Sequence, residues 1–308
     1  MSERKRTVQT RATTTSRPSS VRNGRYSLTI LYEDDELIAV DKPCGLPTIS
    51  PEGSRTRSLY DLVTKHIQRR NPKGRAALVH RLDKETSGVI VFAKNARTKT
   101  ELMSHWNEAV DERGYIALVE GTMPAQSGVL DTYLSEIDPY RVHQVPAGSR
   151  GCLRAITKYT VLSTGAGFSL LELRLETGRR HQIRVQLASA GCPVAGDERY
   201  GAKRDPLGRL GLHAAVISIA RRQGEEAIRV ESPQPPDFAA ALKASGEPRR
   251  ATAPRSEPRE SRDPRPPAAS PDRTRAWPGG GPASRGYRSG SASKKSSSSY
   301  STRNKRKP

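Results

Sequence analysis

Five consecutive apolar residues, 89–93, stand out in a chain that is otherwise rich in polar side chains. A continuous apolar run of this length, preceded by a polar turn, is typical of a buried β-strand. Strand and helix signals alternate on both sides of this run, but without the steady rhythm of repeated βαβ units. The order of signals predicts an α+β fold with a mixed, mostly antiparallel central sheet flanked by helices.

Hydrophobic periodicity, turn residues and capping residues locate the other elements. Asn95 is placed to cap a helix, and Gly191 is a natural stop for another. The acidic turn at 33–36 joins the first two strands into a hairpin. Strands are predicted at residues 26–32, 37–40, 77–79, 115–119, 168–175, 216–220 and 227–230, and helices at 58–68, 96–109 and 181–190.

Composition divides the chain into three parts. Residues 1–24 hold six Lys/Arg against one acidic residue, and residues 246–308 hold sixteen against five. The C-terminal segment has too few apolar side chains to offset the entropy lost on ordering. We therefore predict disordered basic tails at 1–24 and 246–308 around one folded domain at 25–245. The C-terminal tail either follows a nucleic-acid backbone or only keeps the protein soluble, and the sequence favours neither.

The formal net charge of +21 suits a polyanionic partner, either a nucleic acid or an acidic membrane surface. A basic surface kept for solubility is the simpler alternative. The three cysteines are odd in number and form no CxxC pair, which disfavours a disulfide framework and a structural zinc site. We expect a cytoplasmic protein, because no membrane-spanning run and no secretory signal are seen.

One segment, residues 79–95 (VHRLDKETSGVIVFAKN), carries the clearest chemical signal. It places Asp83 on a polar loop between two strands, which is a common position for a catalytic side chain. Aspartate also stabilises turns without any catalytic role, and spacing alone favours that interpretation.

A second segment, residues 176–186 (ETGRRHQIRVQ), sets three arginines and a histidine at the start of a helix. Such a helix start can hold an anion, or it can offer an arginine to a carboxylate inside the protein. An exposed basic helix end is the alternative.

At these two segments the chain resembles the RluA-type pseudouridine synthases. HRLD followed by TSG and an apolar strand is similar to that family's signature, and the resemblance extends over residues 25–236. Other segments agree in the same order. They are LIAVDKP at 37–43 with GLP at 45–47, GYIALVEG at 114–121, TGRRHQIRV at 177–185, PVAGD at 193–197, YG at 200–201 and LGLHA at 210–214.

Two positions depart from the family pattern: Arg180 stands where a threonine is usual, and Gln186 where a histidine is usual. We expect both departures to alter contacts with RNA. Residues 1–24 are too short for the additional N-terminal RNA-binding domain of some members.

The resemblance implies that the protein isomerises uridine to pseudouridine within an RNA chain, with Asp83 as the catalytic carboxylate. A carboxylate can act at a sugar carbon as it does in retaining glycosidases. The resemblance pairs Arg184 with Asp83, which keeps the carboxylate charged beside an apolar base. It places Tyr115 against the base, where the hydroxyl assists a proton transfer.

The same resemblance assigns the substrate-binding residues. Arg81 occupies the space left by the flipped base, and Leu212 packs on the uracil ring. Arg179 and His181 lie at the substrate, where we expect His181 to hold its loop by hydrogen bonds. His80 is likewise interpreted as structural.

The isomerisation is redox-neutral, so no cofactor is expected, and no cluster in the sequence has metal-ligand spacing. The predicted partner is RNA, with large-subunit rRNA favoured and tRNA next, and the protein is expected to work as a monomer. Two alternatives remain open: an RNA-binding or ribosome-assembly protein without activity on the same scaffold, and a hydrolase that releases free uracil.

Deleting residues 246–308 removes a net charge of +11. We expect RNA binding at physiological salt to weaken and its salt dependence to become shallower, because fewer phosphates are neutralised. The reaction rate of bound RNA should stay nearly intact. Filter binding over a salt series checks this, and an unchanged binding constant and salt slope would contradict it.

Overall fold

The computed structural model describes residues 19–23, 26–51, 56–220 and 227–243. Within them, every strand belongs to one sheet. The strands are β1 Ser19–Asn23, β2 Tyr26–Glu33, β3 Leu37–Lys42, β4 Ala77–Leu78, β5 Ser87–Ala93, β6 Val110–Glu120, β7 Ser127–Ser135, β8 His143–Val145, β9 Cys152–Gly165, β10 Phe168–Leu175, β11 Leu212–Ile219 and β12 Ile228–Glu231. The helices are α1 Leu59–Gln68, α2 Ala96–Ser104, α3 Trp106–Ala109, α4 Gln182–Ser189 and α5 Pro236–Ala241.

The strands follow the order β1-β2-β3-β5-β11-β6-β10-β9-β7-β8, with β12 beside β11 and β4 beside β5. The pairing of β5 with β11 is parallel, whereas the other strand pairs in the described residues are antiparallel. This arrangement confirms the predicted α+β fold with a mixed, mostly antiparallel sheet.

The apolar run predicted as a buried strand is β5, and all seven residues of β5 are buried. It belongs to the largest apolar cluster, together with β2, β3 and the apolar face of α1. A second cluster joins β6 and β10 to Ile183 and Leu187 of α4. The helix that carries the basic second segment is therefore packed onto the same sheet as β5.

Several predicted elements appear within a residue or two of their expected positions. Helix α1 begins after Ser58, whose side chain and that of Asp61 form a reciprocal capping box. Asn95 caps α2, accepting the main-chain N–H of Thr98 at 2.8 Å. Helix α4 is followed by Gly191, at a φ of 80°.

The predicted single helix at 96–109 is wrong, because His105 leaves the helical region at φ −126° and ψ 30°. The Ser104 hydroxyl donates to the carbonyl of Glu101 and lies 3.0 Å from His105 Nδ1. These local bonds compete with helix continuation, so α2 ends and the short α3 begins with Trp106.

The predicted tail at 1–24 also needs correction, since residues 19–23 form the edge strand β1. It pairs with β2 over five residues. An edge strand is held by main-chain hydrogen bonds and needs little apolar content, so composition did not reveal it. Residues 1–18 and the predicted tail 246–308 lie outside the described residues. None of the described helices has the length and apolar character needed to cross a bilayer.

The parallel contact between β5 and β11 requires glycine at position 88. Gly88 has a φ of 110°, and a Cβ there would lie 2.1 Å from the carbonyl oxygen of Ala214. Changing Gly88 to alanine should therefore lower the free energy of unfolding by about 3 kcal/mol or more, from strain and overlap together.

Gly191→Ala is the matched control, because Gly191 also has a positive φ but no atom within 4 Å of the added Cβ. It should cost only about 1 kcal/mol. Urea denaturation of both variants measures the difference, and equal losses would show that close packing at Gly88 is unimportant.

Candidate active site

Asp83 lies in the turn between β4 and β5. Leu82, the residue before it, is held in place by two hydrogen bonds to its main chain. The Thr48 hydroxyl donates to the carbonyl of Leu82 at 2.7 Å, and its oxygen accepts the main-chain N–H of Leu82 at 3.2 Å. Both groups are buried, so these bonds face little competition from water. The position of Asp83 is therefore set by the loop after β3 as well as by its own strands.

A buried lysine holds the other side of the turn. Lys42, at the end of β3, is fully buried. Its ammonium donates to the carbonyl oxygens of Leu46 and Lys84 at 2.8 and 2.9 Å. Burial lowers the pKa of Lys42 to about 8, although nearby acidic groups including Asp83 oppose the shift. The side chain ties the Asp83 turn to the loop that follows β3.

Arg184, on α4, bridges two carboxylates. Its Nη1 donates to Asp83 Oδ2 at 3.2 Å, while Nε and Nη2 donate to Asp197 at 2.7 and 2.8 Å. Only 6% of the Arg184 side chain and 1% of Asp197 are exposed. Burial alone would lower the pKa of Arg184, but the hydrogen bonds and charges of the two carboxylates raise it. The guanidinium is therefore a permanent positive charge beside Asp83.

His181 faces the same carboxylate, with Nε2 at 3.8 Å from Asp83 Oδ2. Its Nδ1 lies 2.8 Å from the Tyr200 hydroxyl, and that hydroxyl oxygen accepts the main-chain N–H of Val142. The Tyr200 proton is thus available for Nδ1, which favours the neutral tautomer with its proton on Nε2, toward Asp83. Burial lowers the pKa of His181, which favours the neutral ring.

The main chain of His181 supports a positioning role for this histidine. Its φ is 51°, a left-handed conformation that is unfavourable for residues other than glycine. His181 directly precedes α4, whose first turn carries Arg184. Helix packing and the Tyr200 bond together keep His181 in this conformation.

Asp83 opens onto a cavity of about 70 Å³. All seven residues that the sequence placed at the site line it: Arg81, Asp83, Tyr115, Arg179, His181, Arg184 and Leu212. Tyr115 comes from β6 and Leu212 from the start of β11, two adjacent strands. Burial raises the pKa of Tyr115 to about 12, so its hydroxyl keeps its proton at neutral pH.

His80 lies next to the site but outside this cavity. Its Nε2 accepts the main-chain N–H of Val91 at 3.0 Å. Burial lowers the pKa of His80 to about 4, so the ring is neutral. This histidine therefore fastens the loop before Asp83 to β5.

Three residues of the site were not assigned roles from the sequence: Lys42, Asp197 and Tyr200. The segments containing these three residues did carry a signal, because all three match family segments. A sequence pattern cannot show that Asp197 reaches Arg184 or that Tyr200 reaches His181, since those contacts depend on the folded chain.

The expectation that Gln186 alters RNA contacts is wrong. Gln186 is 1% exposed. Its amide donates to the carbonyls of Leu130 and Ala155, and its oxygen accepts the hydroxyl of Thr157 at 2.6 Å. The side chain ties α4 to β7 and β9. Arg180, the other departure, lines a groove beside the cavity.

The described part of the chain contains no group of three or more His, Cys, Asp or Glu residues placed to hold a metal ion. The chemistry of the cavity is that of one carboxylate, three guanidinium groups, a neutral imidazole and a protonated phenol.

Comparisons with known proteins identify the family. Residues 36–189, half of the chain, match the family model described as RNA pseudouridylate synthase. The chain is 36% identical to the uncharacterized RNA pseudouridine synthase YhcT of Bacillus subtilis, over 72% of this chain and 74% of that protein.

Two further matches are also to pseudouridine synthase proteins. Ribosomal large subunit pseudouridine synthase D of Nitrosomonas europaea is 36% identical over 70% of this chain. The match covers 65% of that enzyme, just under two thirds of its length. The solved structure of human RNA pseudouridylate synthase domain containing 4 has a TM-score of 0.58 and 25% identity, over 70% of this chain and 91% of that one. The chain therefore belongs to the RluA-type RNA pseudouridylate synthase family, whose members are isomerases that convert uridine to pseudouridine in RNA.

Proposed function

We propose that this chain isomerises a specific uridine of large-subunit rRNA to pseudouridine, with Asp83 as the nucleophile. The observation that carries the proposal is the Asp83–Arg184 pair, whose 3.2 Å contact lies at a cavity lined by Tyr115 and Leu212. A charged carboxylate, held beside an apolar wall, is what attack on a sugar carbon requires.

In the proposed reaction the Asp83 carboxylate bonds to C1′, and the N1–C1′ bond breaks with its electron pair staying on uracil. The uracil turns, and C5 then bonds to C1′ and releases the carboxylate. The proton on C5 leaves, and N1 gains one, so atoms and electrons balance. Arg184 stabilises the negative charge of the Asp83 carboxylate before the bond to C1′ forms and after that bond breaks.

Tyr115 is proposed to assist the transfer of the C5 proton. Because burial raises the pKa of Tyr115 to about 12, its hydroxyl is protonated when the substrate enters. The phenol can therefore relay a proton by giving up its own as it receives another. Leu212 is proposed to pack on the uracil ring during the turn.

The target uridine must leave its stack to reach Asp83, which costs a few kcal/mol. Arg81 is exposed and lines the mouth of the cavity, so its planar guanidinium is placed to fill the space that the base leaves. Arg179 is exposed beside it and is proposed to contact the RNA backbone. His181 is proposed to hold Asp83 in position.

The preference for large-subunit rRNA rests on the names of the Nitrosomonas europaea and Neisseria meningitidis relatives, both called ribosomal large subunit pseudouridine synthase D. A tRNA is the next candidate. The complete set of acid, base and cation at the cavity disfavours an RNA-binding protein without activity. That the enzyme works as a monomer in the cytoplasm stays a prediction.

Replacing Asp83 should abolish the modification. In cells that carry wild type, a deletion or Asp83→Ala, pseudouridine is mapped at nucleotide resolution in total RNA. We expect one uridine, in large-subunit rRNA, to lose its modification in both altered strains. Purified Asp83→Asn should be slower by at least about 10⁴-fold, because the nucleophile is lost while its shape is kept.

Loss of the same site in the deletion but not in Asp83→Ala would overturn the role of Asp83. A lost site in tRNA would overturn the choice of rRNA. If no site changes and the purified protein leaves unmodified rRNA and tRNA transcripts unchanged, the proposed activity is wrong.

Tyr200→Phe should slow the reaction by roughly 10- to 100-fold without preventing folding, because His181 loses the partner that selects its tautomer. The ¹⁵N chemical shifts of His181 provide the second measurement. We expect wild type to carry its proton on Nε2 and the variant to populate both neutral tautomers. A variant with a slower rate but an unchanged His181 spectrum would show that Tyr200 acts only through packing.

A further inference from the structure

A groove of about 610 Å³ adjoins the small cavity. The two spaces share Arg81, Asp83 and Tyr115 in their linings, so they are continuous. A ligand whose reacting group enters the small cavity must therefore extend into this groove. The volume is within the usual range for ligand sites, roughly 300–1,000 Å³.

Three arginines of the groove are oriented by main-chain carbonyls rather than by carboxylates. Arg113 donates to the carbonyl of Glu176 at 2.8 Å, and Arg179 donates to that of Arg154 at 3.2 Å. Arg180 donates to the carbonyls of residues 138 and 139. Among the described residues, none of these guanidinium groups lies within 4.0 Å of a carboxylate oxygen.

Elsewhere on the sheet, by contrast, arginine side chains are paired with carboxylates. Arg154 contacts Asp131 at 2.6 Å, and Arg229 contacts Glu112 at 3.1 Å. The groove also contains Glu136, which accepts the main-chain N–H of Arg180. Carbonyl partners fix the direction of a guanidinium without cancelling its charge, so the groove arginines remain available to an anion.

Apolar side chains face the same groove. Trp106 is partly exposed, and Met103 and Leu153 are 50% and 37% exposed. The indole packs against the His80 ring, with 5.4 Å between ring centroids. Because His80 is itself bound to β5, the indole is supported from one side. A partly exposed, supported aromatic ring beside oriented arginines is the combination that binds single-stranded nucleic acid.

We propose that this groove binds the nucleotide next to the target uridine on the same RNA strand, with its base stacked on Trp106 and its phosphates held by Arg113, Arg179 and Arg180. The proposal rests on the proposed function, since it assumes that the target uridine enters the small cavity. A separate cavity of about 320 Å³ near α2 is lined by Glu36, Glu101 and other residues, and its acidic rim suits RNA poorly.

Trp106→Ala in the full-length protein tests the base contact. The probe is an unmodified transcript of the large-subunit rRNA, and single-turnover formation of pseudouridine is followed over a range of enzyme concentrations. We expect the half-saturating concentration to rise by at least about fivefold, as loss of a stacked base does. The maximal rate should stay within about twofold.

Two variants separate stacking from folding. Trp106→Phe keeps a stacking ring and should recover most of the affinity. Leu162→Ala, at an exposed apolar side chain of β9 outside the groove, should leave affinity unchanged. Equal half-saturating concentrations for wild type and Trp106→Ala would overturn the base contact, and so would a Trp106→Phe variant as weak as Trp106→Ala.

Arg179→Met tests the phosphate contacts through the salt dependence of equilibrium binding. The slope of log affinity against log salt should fall by about 0.7, the value for one single-strand phosphate. Arg229→Met removes the same charge from an acid-paired site and should leave the slope unchanged. Equal slopes in wild type and Arg179→Met would overturn the phosphate contact.

The same transcript separates this proposal from the proposed function. Equilibrium binding reports on the groove even when no pseudouridine forms. Absence of product from wild type would overturn the proposed function alone if Trp106→Ala still weakened binding. Normal product formation with unchanged binding by Trp106→Ala would overturn the groove proposal alone.

Discussion

The active site depends on one buried guanidinium that contacts two carboxylates. Arg184 is almost fully enclosed, and its desolvation is offset only because Asp197 accepts two hydrogen bonds and Asp83 a third. Loss of Asp197 would leave the buried Arg184 with one hydrogen bond, to Asp83, which is strongly unfavourable. The bridge joins α4 to the Asp83 turn and to the segment before β11. The geometry of the candidate site and the local stability therefore depend on the same contact.

The rest of the site supports that bridge from different parts of the sheet. Lys42 and Thr48 fix the main chain on both sides of Asp83. Gly88 allows β5 and β11 to lie close together. Gln186, which follows Arg184 within one turn of α4, holds this helix against β7 and β9. Each of these contacts limits the movement of the Asp83 turn or of α4, which keeps the Asp83 carboxylate and the Arg184 guanidinium in place.

The sequence predicts most local structure here, because local structure depends on neighbouring residues. The buried strand β5, the capping box of α1 and the end of α4 at Gly191 all follow from short patterns. Strands β7, β8 and β9 were not predicted, since β7 is mostly exposed or partly buried and the buried face of β9 includes the polar residue Thr157, so the apolar contrast along both strands is weak. The seven site residues came from a family motif. The link between Asp83 and Arg184 spans 101 residues, and periodicity carries no information on contacts so distant.

The charge that attracts RNA and the groups that position the RNA lie in different parts of the chain. Most of the formal excess of +21 belongs to residues 1–24 and 246–308, whereas residues 25–245 carry almost balanced charge. Net positive charge raises the local concentration of any polyanion over a distance, but by itself it carries little directional information. Guanidinium groups held by carbonyls, such as those of Arg113 and Arg179, have fixed directions and lie beside Asp83. Because these groups line the groove that adjoins Asp83, we expect selection of the target uridine to depend on the folded domain.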